Sequence, residues 1–153
     1  MTTSKKVKRD RESRRARGDQ TEACPICGTM MRHVRGLLSV SVNGERISVP
    51  NLPHLHCPKC RERVFSLTVA RQLERRGVER YRAKHDLLSA EDMRAISHQL
   101  GLTQVELAHL LRLGTNTISR WESGRTAQTG AMDVLLRLIR DLPGSLEYLQ
   151  GRH

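Results

Sequence analysis

Leu102-Thr103-Gln104-Val105-Glu106-Leu107-Ala108-His109-Leu110-Leu111-Arg112-Leu113-Gly114-Thr115-Asn116-Thr117-Ile118-Ser119-Arg120-Trp121-Glu122-Ser123-Gly124 is the stretch whose reading decides the architecture of the chain. Thr103 and Glu106 form a capping box, in which a hydroxyl and a carboxylate satisfy each other's backbone N–H groups at a helix start. The box predicts a short helix through Leu111, with Leu107, Ala108, Leu110 and Leu111 as its apolar residues. Gly114 permits a tight turn, a third helix is predicted from Thr115 to Ser123, and Gly124 stops it. Within that helix Ile118 and Trp121 lie three apart and face the core. Thr115, Asn116, Ser119 and Arg120 share the other face. Arg offers a fork to guanine O6 and N7, and Asn a donor and an acceptor to adenine, so this face has the chemistry of a major-groove reader. A solvated surface face is the bland alternative; the capped helix and turn placed before it favour the reader.

Upstream, Ser89-Ala90-Glu91-Asp92 opens another helix, with Met93, Ile96 and Leu100 on one side and Gly101 at its end. Thr103 and Gln104 are placed to hold a backbone phosphate, helped by N–H groups of the helix start. Arg125 and Gln128 are further phosphate candidates. Downstream, the helix expected from Ala131 to Leu142 is too apolar for one buried stripe. Met132, Leu135, Leu136, Ile139 and Leu142 form a broad face, while Val134 and Leu138 form a second beside Ala131. The second face reads either as a dimer contact, which would present two recognition helices to a palindromic operator, or as a surface covered by Leu146 to Leu149.

Towards the N-terminus, Cys24-Pro25-Ile26-Cys27 and Cys57-Pro58-Lys59-Cys60 are separated by 29 residues. Two Cys-x-x-Cys turns aim four thiolates at one ion, the closed tetrahedral set of a structural zinc site. Gly28 suits the left-handed residue such a turn needs, whereas Arg61 at the equivalent place predicts a less regular second turn. His33, His54 and His56 are possible substitute ligands, and a redox dithiol pair or an iron–sulfur site are the competing readings. Between the cysteine pairs, apolar and polar residues alternate on both sides of Asn43-Gly44. That pattern predicts a hairpin with a type I′ turn that sets Val40 against Ile47 and Leu38 against Val49.

The chain has 153 residues and a formal net charge of +11, from 27 Lys and Arg against 16 Asp and Glu. A polyanionic partner is expected, and nucleic acid is preferred to membrane because no apolar run reaches the roughly 18 residues of a spanning helix. Aromatics make up 3% of the residues, so the core must be built from Leu, Val, Ile and Met. Small domains with so little bulk usually need a metal, a disulfide or a partner chain. Residues 1–21 are expected to be a disordered basic arm, 22–68 the zinc module, 69–87 a helical connector with Gly77 as a break, and 88–150 the DNA-binding domain. The N-terminal stretch lacks an apolar signal-peptide core, so a cytoplasmic location is expected, where paired cysteines read as metal ligands.

The arrangement resembles the MqsA-type antitoxins, in which a YgiT-type zinc finger precedes an Xre-type helix-turn-helix. The resemblance covers about residues 22 to 150. It rests on Cys24-Pro25-Ile26-Cys27-Gly28, on Val49-Pro50-Asn51-Leu52-Pro53 leading into Cys57-Pro58-Lys59-Cys60, and on Leu102-Thr103-Gln104 followed by Asn116 to Gly124. It implies an α+β chain with a lambda-repressor-like helical domain, one structural zinc ion, and a homodimer that represses its operon. It also implies that the zinc module neutralises a toxin, commonly an mRNA-cleaving ribonuclease, and that Asn116 and Arg120 read the bases. Two departures stand beside it: the chain is strongly basic where a cover for a basic ribonuclease should be acidic, and it carries an additional arginine-rich arm. A solitary Xre-type regulator with a structural zinc module is the alternative. An enzyme, whether metallohydrolase or thiol oxidoreductase, is disfavoured by the closed ligand set and the missing general base.

Overall fold

The computed structural model describes residues 22–151, so the expected basic arm lies outside the described residues. Three strands form one sheet in the order β1-β2-β3, with β1 at Arg32–Val42, β2 at Glu45–His56 and β3 at Arg63–Val64. Six helices follow: α1 Leu67–Lys84, α2 Ala90–Gln99, α3 Gln104–Leu110, α4 Thr117–Glu122, α5 Gly130–Asp141 and α6 Ser145–Gln150. The chain is thus α+β.

Two compact units divide these elements. The first contains residues 22–36 and Pro53–Ser66; the second contains Leu37–Leu52 and everything from Leu67 onward. This division differs from the boundaries expected from sequence, because the distal half of the hairpin groups with the helices. The reason is packing. Leu38, Val49 and Leu52 are buried with Val69 and Leu73 of α1, and Val42 and Ile47 with Val78 and Ala127.

The hairpin turn is as expected: Asn43 and Gly44 have φ of 48° and 83°, the two positive values of a type I′ turn. Ser39 Oγ and Ser48 Oγ, 3.3 Å apart, mark the cross-strand register. Gly77, expected to break the connector, instead lies within one uninterrupted helix. A Cβ there would come within 2.3 Å of Val40 Cγ1, so the glycine allows α1 to approach the hairpin.

In the helical part Ser89 and Thr103 each close a capping box, with Asp92 and Glu106. Each cap is worth about 1 kcal/mol to its helix. Gly101, with φ of 64°, ends the turn after α2. The core is Leu88, Met93, Ile96, Leu107, Ala108, Leu111, Ile118, Trp121, Leu136 and Ile139, with Met132, Leu135 and Leu149 packed at its border. On α5 the buried stripe is narrower than expected. Leu142 is 57% exposed, as is Val134, and Leu138 is 50% exposed, so α6 leaves the second apolar face uncovered.

Candidate metal centre and helix-face site

The two cysteine turns are built alike. Gly28 N–H donates to Cys24 O and Cys24 N–H to Thr29 O, both at 2.9 Å; Arg61 N–H donates to Cys57 O at 3.0 Å and Cys57 N–H to Glu62 O at 2.9 Å. Gly28 and Arg61 take the same left-handed backbone, with φ of 72° and 65°. The second turn is therefore as regular as the first, with Arg61 bearing the strain that glycine avoids. Ala23 bridges Met30, and β2 pairs with β3 through Leu55 with Val64 and His56 with Arg63. These pairings bring both turns to one small core of Cys24, Met31, Leu55 and Cys57.

All four Sγ atoms lie within 4.8 Å of one another. Cys24 Sγ is 3.5 Å from Cys60 Sγ, and Cys27 Sγ is 3.4 Å from Cys57 Sγ. Tetrahedral zinc with Zn–S bonds of about 2.3 Å would hold its sulfurs about 3.8 Å apart, so the cluster fits such an ion with small adjustment. Among the described residues no histidine joins the cluster. His54 is buried over Gly36, whose added Cβ would lie 3.3 Å from the His54 ring.

Cys27 and Cys60 are pushed in opposite directions. Hydrogen bonds from the Thr29 side chain and backbone bring Cys27 down to about 6. The Glu62 N–H pulls Cys60 down too, but desolvation and the hydrogen bonds with Cys24, Cys57 and Cys27 outweigh it and push Cys60 up to about 12. Crowded sulfurs oppose each other's ionisation, and a divalent cation removes that opposition.

The second candidate site is the surface carried by α4. This helix is shorter than expected: it begins at Thr117, and Thr115 and Asn116 belong to the turn before it. Ile118 and Trp121 are buried, as expected, while Thr115, Asn116, Ser119 and Arg120 are all exposed. Asn116 stands at the cap position but makes no side-chain cap bond, which leaves its amide available. Neither Arg120 nor Arg125 has an ion-pair partner among the described residues.

Thr103 and Gln104 are exposed but already engaged. Thr103 Oγ1 accepts from Glu106 N–H at 3.2 Å, and Gln104 Nε2 donates to Glu122 Oε2 at 2.5 Å. Glu122, which the sequence reading passed over, is a buried carboxylate joining three helices. Its Oε1 accepts from Ser97 Oγ at 2.7 Å, and Arg94 donates to its carbonyl at 2.6 Å. Gln128, expected at a phosphate, is fully buried. It is placed there because its amide donates to Leu88 O at 2.8 Å and Asp133 Oδ1 at 3.0 Å, and accepts from Arg82 Nε at 3.0 Å. One signal pointed to Arg82: it continues the helical spacing of Val69, Leu73 and Val78, and so falls on the buried side of α1.

A four-thiol site able to take a metal, combined with a hairpin and a bundle of short capped helices, defines a small two-unit α+β metal-site protein. Over residues 22–150 the sequence matches the family of MqsA, the antitoxin component of bacterial toxin–antitoxin systems, and the chain belongs to that family. No curated protein matches it. Among the described residues no helix is long and apolar enough to cross a membrane.

Proposed function

We propose that this protein is a sequence-specific DNA-binding repressor, the antitoxin of a pair whose operon it regulates. In this reading α3 and α4 form a helix-turn-helix. Asn116 and Arg120 read base edges, Thr115 and Ser119 flank them, and Thr103, Gln104 and Arg125 hold phosphates. The observation that carries the reading is the exposure of Asn116, at the cap position of α4 without a side-chain cap bond, and of Arg120, within a helix fixed from beneath by Ile118 and Trp121. The Gln104–Glu122 bond supports it by orienting Gln104 at the start of α3.

Cys24, Cys27, Cys57 and Cys60 would hold one zinc ion in a structural role, since four thiolates leave no position for substrate. The ion would supply cross-linking to a module with a small core, and no catalytic step is assigned to the chain. A cytoplasmic homodimer paired through Ala131, Val134 and Leu138 would place two α4 helices on a palindromic site. The cysteine module would take the toxin, a ribonuclease. Family membership favours this over a solitary regulator.

The test is binding of the metal-loaded protein to its own promoter and to random duplex at moderate salt. Arg120→Ala is expected to lower specific affinity by about 1–3 kcal/mol and to relax one base position, with little effect on random DNA. Equal losses on both duplexes would refute base reading. Full-length protein that neither binds nor inhibits a co-encoded ribonuclease would leave the solitary regulator as the function.

A further inference from the structure

The segment that follows α4 is pinned from three sides. From within, the carbonyl of Arg120 accepts the N–H groups of Arg125 at 2.9 Å and Thr126 at 3.4 Å. From α1, Arg82 Nη2 donates to the carbonyls of Trp121 at 2.9 Å and Thr126 at 3.3 Å, while its Nε donates to Gln128 Oε1. The hairpin adds a third hold: Asn43 Nδ2 donates to Gln128 O at 3.2 Å, and Ala127 packs with Val42, Ile47 and Val78. Arg82 is 3% exposed, so it cannot reach a ligand itself. Its Nη1 is buried with no hydrogen-bond partner. Burial pushes its guanidinium pKa below the ordinary arginine value, despite the opposing charges of Glu79, Asp133 and Asp92. A buried cation with an unused donor is a poor device for stability alone, because desolvation offsets much of what its bonds return.

We propose that Arg82 is a positioning residue for DNA reading: it fixes the carbonyl end of α4 and the 123–128 segment that follows it, and thereby the direction in which Arg120 and Arg125 project. The hairpin and α1 are then part of the reader's scaffold and not a tether to it. The inference rests on the DNA-binding reading above. It adds that base discrimination depends on a residue that never touches DNA. Contacts of this kind must be held within a fraction of an ångström to keep their selectivity, and a lysine, which keeps the charge, cannot span three acceptors.

The experiment compares wild-type protein with Arg82→Lys and with Arg137→Ala, all metal-loaded and full length. Arg137 binds the far side of the same network, through Asp133 Oδ2 at 2.7 Å and Asp86 O at 2.8 Å, without touching the loop. Three quantities are read: the ratio of promoter to random-duplex affinity, the dependence of binding on salt, and amide exchange at residues 123–126. For Arg82→Lys the ratio is expected to fall about tenfold, the size of a misplaced bidentate contact, with faster exchange at 123–126. The salt slope is expected to stay unchanged, because no phosphate contact is removed. Arg137→Ala is expected to lower stability and keep the ratio.

A retained ratio in Arg82→Lys overturns the proposal. So does a lowered ratio with unchanged exchange at residues 123–126, which would detach the effect from the segment Arg82 holds. An equal loss of the ratio in Arg137→Ala overturns it too, by reducing the effect to general destabilisation. Should Arg82→Lys fail to fold, Gln128→Met, which removes the acceptor of Arg82 Nε together with the amide's donations to Leu88 O and Asp133 Oδ1, carries the same three readouts against Arg137→Ala. A wild-type protein without promoter preference would refute DNA reading as a whole; preference that survives Arg82→Lys refutes the role of Arg82 alone.

Discussion

In the cysteine unit the buried apolar set is Cys24, Met31, Leu55 and Cys57, and half of it is cysteine. The helical unit buries Leu88, Met93, Ile96, Leu107, Ala108, Leu111, Ile118, Trp121, Leu136 and Ile139 in one cluster, and adds a polar chain from Arg82 through Gln128 and Asp133 to Arg137. Both units are poor in aromatic bulk. The first has little apolar area to offset chain entropy, and its four thiols are the groups that could make up the difference by holding a metal; the second has a larger packed core. The difference teaches that, if the thiols hold a metal, one chain is held by ligation at one end and by packing at the other, and the two should then fail under different insults.

Metal removal is the sharpest way to break this comparison. Chelation at neutral pH, or Cys57→Ser, is expected to unfold residues 22–36 and 53–66, a loss of about 10 kcal/mol or more of coupled binding and folding energy. The helical circular dichroism and the buried environment of Trp121 should persist. Their collapse in parallel would show that the helical unit has no independent stability.

The reverse insult is Leu136→Ala. Leu136 is fully buried on the inner face of α5, so the cavity should cost about 2–5 kcal/mol in urea unfolding followed through the single tryptophan. Metal affinity of the cysteine unit should not change. A matching drop in that affinity would mean that the two units unfold as one.

What was legible in the sequence follows the same line. Turn and cap chemistry is local, so Asn43-Gly44, Ser89 with Asp92, Thr103 with Glu106 and the two Cys-x-x-Cys turns were all readable from adjacent residues. What was misread depends on a distant partner. Gly77 suggested a break because Val40, 37 residues earlier, is invisible at the level of helix propensity. Gln128 looked like a surface amide because its donor, Arg82, lies on another helix. The opening of α4 two residues late is a boundary effect of the tight turn at Gly114. The candidate base-reading face needed only the spacing of Asn116, Ser119 and Arg120, whereas the Arg82 contacts behind it needed the tertiary structure.

The polar chain gives the helical unit a pH dependence of its own. Burial raises the pKa of Asp133, but the Leu88 N–H, Arg137 and Gln128 outweigh it and hold the carboxyl below the ordinary aspartate range. A depressed folded-state pKa means that its contribution is complete above the unfolded value of about 3.9 and disappears as pH falls through the folded one. Asp92, held down mainly by Ser89, acts in the same direction. The helical unit should therefore lose stability on acidification below about pH 4. Asp133→Asn should cost about 1–3 kcal/mol at neutral pH and flatten part of that dependence. An unchanged acid limb would assign the pH response to the caps alone.

The smallest effect compares the two cysteine turns with each other. Gly28 and Arg61 hold the same left-handed conformation, yet only glycine adopts it without a Cβ penalty. The Arg61 side chain is exposed, so replacing it removes no buried contact. Arg61→Gly should relieve strain worth up to about 1 kcal/mol, less the extra entropy glycine gains when unfolded. If folding of this unit is coupled to ligation by the four thiols, the gain should appear as metal affinity raised up to about fivefold in a chelator competition. Gly28→Ala should shift it the other way by a similar factor, since open space around Gly28 leaves backbone strain as its only cost. If neither substitution moves the affinity, the turns are not strained in the metal-bound state, and ligation at this end of the molecule reshapes the backbone instead of merely locking it.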